Sequence, residues 1–234
     1  MMHDSMIYYG CYLLMKRGFV YPDANVTKLN PNWYYNWGAQ PTLEVQVPFV
    51  PMVWGKHTQV PGKSEYILGF NEPDGAAQSN LTPQQALAMW PSVRAAGATV
   101  GSPATAGSPV ASGSWLSHFE GDYDFVCVHW YAPPNPDAFL SWLDEIHKQY
   151  NKPIWITEFA VADWSAKGGP KSTKFTPDQV LTFLKAVVPV LEYRDYIQRY
   201  SWKTRTMEDP CMWFSSVFND DMTLTELGLW YSQQ

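Results

Sequence analysis

Short apolar or aromatic runs alternate with segments of helical length along nearly the whole chain, and that alternation is what most limits its fold. A strand, a helix and a second parallel strand connect with one preferred hand, so repeated units build a parallel sheet with helices on its outside. The runs fall at residues 18–21, 33–37, 49–54, 66–71, 99–102, 124–130, 153–159 and 198–202. Eight such units in 234 residues predict an α/β fold, a single (β/α)8 TIM barrel spanning 1–234, with 1–15 as a peripheral N-terminal segment.

The helices announce themselves at their starts. Thr82-Pro83-Gln84-Gln85 and Thr176-Pro177-Asp178-Gln179 share one device: a threonine cap, proline in the first helical position and glutamine three residues after the cap. After the second, Val180, Leu181, Leu184, Val187, Val188 and Leu191 form one apolar stripe. Residues 136–150 do the same with Phe139, Leu140, Leu143, Ile146 and Tyr150. Residues 22–32 have little helical character, and 205–221 read as a long loop carrying Trp213 before a last helix at 225–232.

Composition narrows the partners. The net charge of −6 comes without any dense lysine and arginine cluster, which excludes a phosphate backbone or an anionic membrane as the natural surface to bind. No run approaches 18 apolar residues, so no transmembrane helix is expected, and residues 1–15 lack the pattern of a signal peptide. Twelve tryptophans and 14 tyrosines favour a ligand with flat amphipathic rings, such as a sugar. Three cysteines and five histidines show no metal-ligand spacing, so no metal and no cofactor are expected. Cys127, in an apolar run, reads as a buried inert thiol, while pairing of Cys11 with Cys211 stays open.

Two carboxylates stand where barrel strands end. Glu72 lies in Gly69-Phe70-Asn71-Glu72-Pro73-Asp74, after the fourth run, and Glu158 ends Ile154-Trp155-Ile156-Thr157-Glu158, the seventh. Each has a plainer reading, as a turn residue or as a strand-end partner of an arginine. Together they suit glycoside cleavage, in which one carboxyl protonates the leaving oxygen while the other attacks the sugar or activates water. A gap of about 5–5.5 Å would mark the first route and one of about 6.5–9.5 Å the second. His129, Trp130 and Tyr131 end the sixth strand on the same rim, and alternation puts His129 and Tyr131 on one face, where either could orient Glu158. Trp37 and Trp54, ending the second and third runs, and Trp164 and Trp213, in loops, are candidate platforms for sugar rings.

Lys16-Arg17-Gly18, Tyr34-Tyr35-Asn36-Trp37, Pro51-Met52-Val53-Trp54, Leu68 to Asp74, Gly101-Ser102-Pro103, Val128-His129-Trp130-Tyr131 and Trp155 to Phe159 together resemble, in order, the motifs of glycoside hydrolase family 128. That family comprises β-1,3-glucanases on barrels of the clan A type. The resemblance implies retention through a covalent glycosyl-enzyme, with Glu72 as acid/base and Glu158 as nucleophile. It further implies that Asn71 binds the sugar 2-hydroxyl, that Asn36 joins the binding surface, and that Trp202 floors the site of the cleaved sugar.

The expected function is therefore that of a retaining endo-β-1,3-glucanase, monomeric and secreted, acting on β-glucan polysaccharide or oligosaccharide. Exo action, a hydrolase for another β-glycan and a non-catalytic glucan-binding barrel are the alternatives. The loops at 132–136, 164–176 and 204–221 would decide between endo and exo.

Overall fold

The computed structural model describes residues 16–21, 23–41, 44–166, 168 and 172–234. Residues 1–15, and with them Cys11 and its pairing, lie outside the described residues; among the described residues Cys127 and Cys211 form no disulfide. Among the described residues seven strands are regular: β1 (Arg17–Val20), β2 (Trp33–Tyr35), β3 (Ser64–Ile67), β4 (Gly97–Val100), β5 (Val126–Ala132), β6 (Ile154–Val161) and β7 (Ile197–Lys203). They pair in parallel as β2-β1-β7-β6-β5 and as β3-β4.

Isolated parallel bridges close the ring. Phe49 bridges Tyr34, Met52 bridges Leu68 and Gly101 bridges Phe125, so residues 49–53 fill the eighth place between β2 and β3. That segment is the third strand expected from sequence, but Pro48 and Pro51 each remove a ladder donor and leave it held by single bonds. Val50 N–H still donates to Tyr34 O at 2.9 Å, and Pro51 O accepts from Leu68 N–H at 2.9 Å.

Alternation along the strands sorts two apolar layers. Val20, Trp33, Tyr35, Val50, Met52, Leu68, Phe125, Cys127 and Trp155 fill the barrel. Phe19, Tyr34, Val126, Val128, Ile156, Phe159, Tyr200 and Trp202 face outward to the helices. Gly18 is required by this packing, since a Cβ there would meet the Trp33 ring at 2.2 Å. Near the lower end the Arg199 guanidinium lies over Trp155 and Tyr66, 4.2 and 4.5 Å from the ring centroids.

The outer layer is α1 (Pro83–Ala96), α2 (Pro136–Tyr150), α3 (Pro177–Tyr193) and α4 (Glu226–Ser232). Thr82 with Gln85, and Thr176 with Gln179, form reciprocal capping boxes. Each threonine cap is worth about 1 kcal/mol. The stripe of α3 is buried from Val180 to Leu191, as its spacing predicts. Residues 22–32 correct the expectation of little helix: a 3₁₀ helix at Ala24–Leu29, capped by Asp23, buries Val26 and Leu29. Among the described residues no helix is long and apolar enough to cross a membrane.

One irregularity aims the site. Val128 pairs with Ile156, but His129 pairs with Glu158, so β6 carries an extra residue, Thr157, against β5. The register against β7 slips in the same interval. In an unbroken strand Glu158 would share the outward face of Ile156; the bulge turns it inward and leaves Phe159 facing out.

Candidate active site

At the mouth formed by the C-terminal ends of the strands lies a cavity of about 670 Å³ whose walls include Asn71, Glu72, Tyr131, Glu158, Lys203, Arg205 and Met212. Trp37, Trp54 and Trp164 also line it. Glu72 reaches this place through a left-handed backbone, with φ of 42°, a costly conformation for a residue with a side chain. It is held there by donation from its own N–H to Ala104 O and from Gly75 N–H to its carbonyl. Asp74 accepts from Ala106 N and Gly107 N at 2.8 Å, fastening the next loop beside it. The turn chemistry of Asn-Glu-Pro-Asp is thus the means of presenting Glu72.

His129 is buried behind the cavity and bridges the two carboxylates. Its Nδ1 lies 2.9 Å from Glu72 Oε1 and its Nε2 lies 3.7 Å from Glu158 Oε1. Burial pushes the imidazole pKa down, but the charge of Glu158, then the hydrogen bond and charge of Glu72, win and hold it above the usual histidine value.

Glu158 has the richer surroundings. Its Oε1 accepts from Trp37 Nε1 at 2.8 Å and from the Tyr35 hydroxyl at 3.1 Å, while Oε2 accepts from the Tyr131 hydroxyl. Burial alone would raise its pKa; the charges of His129 and Lys203 and the bonds from Tyr131 and Trp37 outweigh burial and hold it below the usual carboxylate range. Burial, followed by the Glu158 charge, drives both tyrosines well above their ordinary values, so they remain donors.

The remaining expected residues divide. Asn71 Nδ2 donates to Gln78 Oε1 at 3.3 Å, while its buried Oδ1 has no partner among the described residues. Trp164 is 63% exposed, with its indole N–H on Tyr131 O at 2.9 Å. Four residues depart from the expected binding surface. Trp202 is fully buried on the outward face of β7, against Phe159, and donates to Ser215 O. Trp130 faces outward to Phe139 and Trp142 of α2. Asn36 is not among the residues lining the cavity that Trp37 enters; its side chain accepts from Gly38 N–H and donates to Gln40 O. Trp213 packs on Phe214 and donates to Thr173 Oγ1 beyond the cavity.

Tyr35, Gln78, Ala106, Lys203, Arg205 and Met212 escaped the sequence reading. Tyr35 and Lys203 had a signal, since each shares the inward parity of its strand, with Trp33 and Arg199 respectively. Among the described residues no group of histidine, cysteine, aspartate and glutamate is arranged to hold a metal ion.

The chain belongs to the glycosyl hydrolase catalytic core family, whose model matches residues 19–231. Within that class it resembles solved structures of family 128, as its motifs implied. One is the subgroup II endo-β-1,3-glucanase of Sorangium cellulosum, 29% identical with a TM-score of 0.74, the match covering 93% of this chain and 97% of that one. Another is the subgroup I endo-β-1,3-glucanase of Amycolatopsis mediterranei in complex with laminaritriose, 26% identical with a TM-score of 0.78, covering 94% and 99%. The alkali-sensitive linkage protein 1 of Schizosaccharomyces pombe is 30% identical over 202 residues, 78% of this chain. The chain spans 36% of that relative's length.

Proposed function

We propose that the chain is a retaining endo-β-1,3-glucanase, with Glu158 as nucleophile and Glu72 as acid/base. The observation that carries this reading is the unequal setting of the two carboxylates. Glu158 receives three donors and lies near a lysine, as an ionised nucleophile requires. Glu72 instead faces a single imidazole, whose Nδ1 lies 2.9 Å from its Oε1.

In the first step a Glu158 oxygen bonds to the anomeric carbon as the bond to the leaving oxygen breaks and Glu72 gives that oxygen a proton. In the second, water attacks the same carbon, Glu72 takes back a proton and Glu158 is released as carboxylate. The unpartnered Asn71 Oδ1 is placed to accept from a sugar hydroxyl, and Trp37, Trp54 and Trp164 offer ring faces. A β-1,3-linked glucan is favoured by the likeness to two endo-acting β-1,3-glucanases. A polysaccharide substrate places the work outside the cell, which fractionation of expressing cells would test.

The experiment is product analysis on linear β-1,3-gluco-oligosaccharides, beside cellulose-type and mixed-linkage oligomers, with Glu158→Gln as control. Internal cleavage of β-1,3 bonds, with the β-anomer formed first, is expected of the wild type alone. Release from chain ends only would replace endo by exo action, and first formation of the α-anomer would overturn retention. Binding without cleavage would leave a glucan-binding barrel.

A further inference from the structure

Lys203 ends β7 beside Val20 of β1, on the inward face, and borders the catalytic cavity. It also borders a second chamber of about 340 Å³, lined by Tyr21, Phe218 and Met222 among others, with Trp37 and Arg205 as further shared walls. Among the described residues it forms no ion pair with a carboxylate. Its Nζ instead lies 3.9 Å from the centroid of the Trp37 ring. That same indole donates to Glu158 Oε1 at 2.8 Å, from a left-handed backbone with φ of 61°.

We propose that Lys203 is a positioning residue for Glu158, acting through Trp37: its ammonium, seated on the indole face, fixes the ring whose N–H holds the nucleophile. This rests on the glucanase reading for its catalytic meaning, while the contact chain Lys203, Trp37, Glu158 stands on geometry alone. A cation on a π face is attracted by the ring quadrupole and draws charge from the ring, which makes the indole N–H a stronger donor. It also opposes the freedom of a residue whose backbone lies in a sparsely populated region.

The arrangement is sensitive to pH. Burial brings the Lys203 pKa down to about 8, against the upward pull of Glu158 and Glu72 and with Arg205 adding to the depression. The groups facing it are therefore Glu158 from β6, Glu72 from the turn after β3, Arg205 from the following loop, and His129 of β5, whose own charge it opposes. As pH rises through about 8 the ammonium is lost, and with it the clamp on the indole.

The test compares wild type, Lys203→Met, which keeps an apolar stem, and Lys203→Arg, which keeps the cation. The resting protein is titrated by following the Trp37 indole N–H in an ¹H–¹⁵N spectrum, assigned with Trp37→Phe. A step near pH 8 is expected in wild type and its loss in Lys203→Met. The second readout is the acid limb of kcat/KM on a β-1,3-gluco-oligosaccharide, which reports the nucleophile. It should move up by roughly half a pH unit to one unit in Lys203→Met and return towards wild type in Lys203→Arg. It should move less when Lys203→Met is added to Trp37→Phe than when it is made alone, because the direct charge effect survives the loss of the indole and the part carried through Trp37 does not.

An indole step that persists in Lys203→Met, or an unmoved acid limb, overturns the proposal. If the wild type cleaves no glucan yet the step depends on Lys203, the glucanase reading fails and the positioning of Glu158 through Trp37 is upheld.

Discussion

His129 Nδ1 meets Glu72 Oε1 at 2.9 Å from a strand two places further round the barrel, so the proposed acid/base is served by a proton carrier from outside its own loop. His129→Phe should lower kcat about 10²-fold, the usual worth of a positioned proton donor, with a smaller effect on KM. Steady-state kinetics on a β-1,3-gluco-oligosaccharide would check it. A loss confined to KM would instead make His129 a substrate contact.

The same contact predicts a pH-dependent stability. The folded-state pKa of His129 is raised, so its contribution is fully present below the ordinary value of about 6.5 and is lost as pH rises through the folded-state value. Glu158 has the opposite sign: its pKa is depressed, so its contribution is present above the ordinary value of about 4.3 and is lost as pH falls through the folded-state value. Melting temperatures across pH should therefore show a shallower alkaline decline in His129→Phe and a shallower acid decline in Glu158→Gln.

Tyr131 and Tyr35 both donate to Glu158, but to different oxygens. Replacing either by phenylalanine leaves a buried carboxylate short of one donor, at a cost of about 1–3 kcal/mol in unfolding free energy. The acid limb of kcat/KM should move up in both variants, and more in Tyr131→Phe, because Oε1 keeps Trp37 whereas Oε2 has only Tyr131 among the described residues. Equal profiles in wild type and both variants would count against the assignment of Glu158 as nucleophile.

Trp164 and Trp202 should separate binding from stability. Trp164 is 63% exposed at the cavity, so Trp164→Ala should raise KM about tenfold for longer oligosaccharides with little change in melting temperature. Trp202 has no exposure, and Trp202→Ala should cost about 3–5 kcal/mol of stability through the void it leaves. Denaturant unfolding beside oligosaccharide kinetics would read both.

The barrel was legible because its signals are local. Threonine, proline and glutamine at fixed spacing specify a helix start whatever surrounds it, and the two capping boxes formed at the two sites where that pattern occurs. The apolar runs marked all eight places in the ring, although Pro48 and Pro51 reduced one to isolated bridges. The site was less legible because side-chain direction depends on register. In Tyr200-Ser201-Trp202-Lys203, alternation joins Trp202 to Tyr200 and so to the outer layer, which would have put Lys203 at the mouth. Family resemblance had placed Trp202 there instead. The bulge at Thr157 left no trace in the sequence, since nothing in Ile156-Thr157-Glu158 marks a residue that a neighbouring strand will fail to match.

That bulge divides β6 into two units with separate duties. Residues up to Ile156 follow the wall of the barrel, and residues from Glu158 on follow the needs of the mouth, with Thr157 absorbing the mismatch. A graft of this carboxylate onto another barrel would therefore have to carry the joint as well as the glutamate. Moving Glu158 alone onto an unbroken strand of the same parity would deliver the acid to the helical shell.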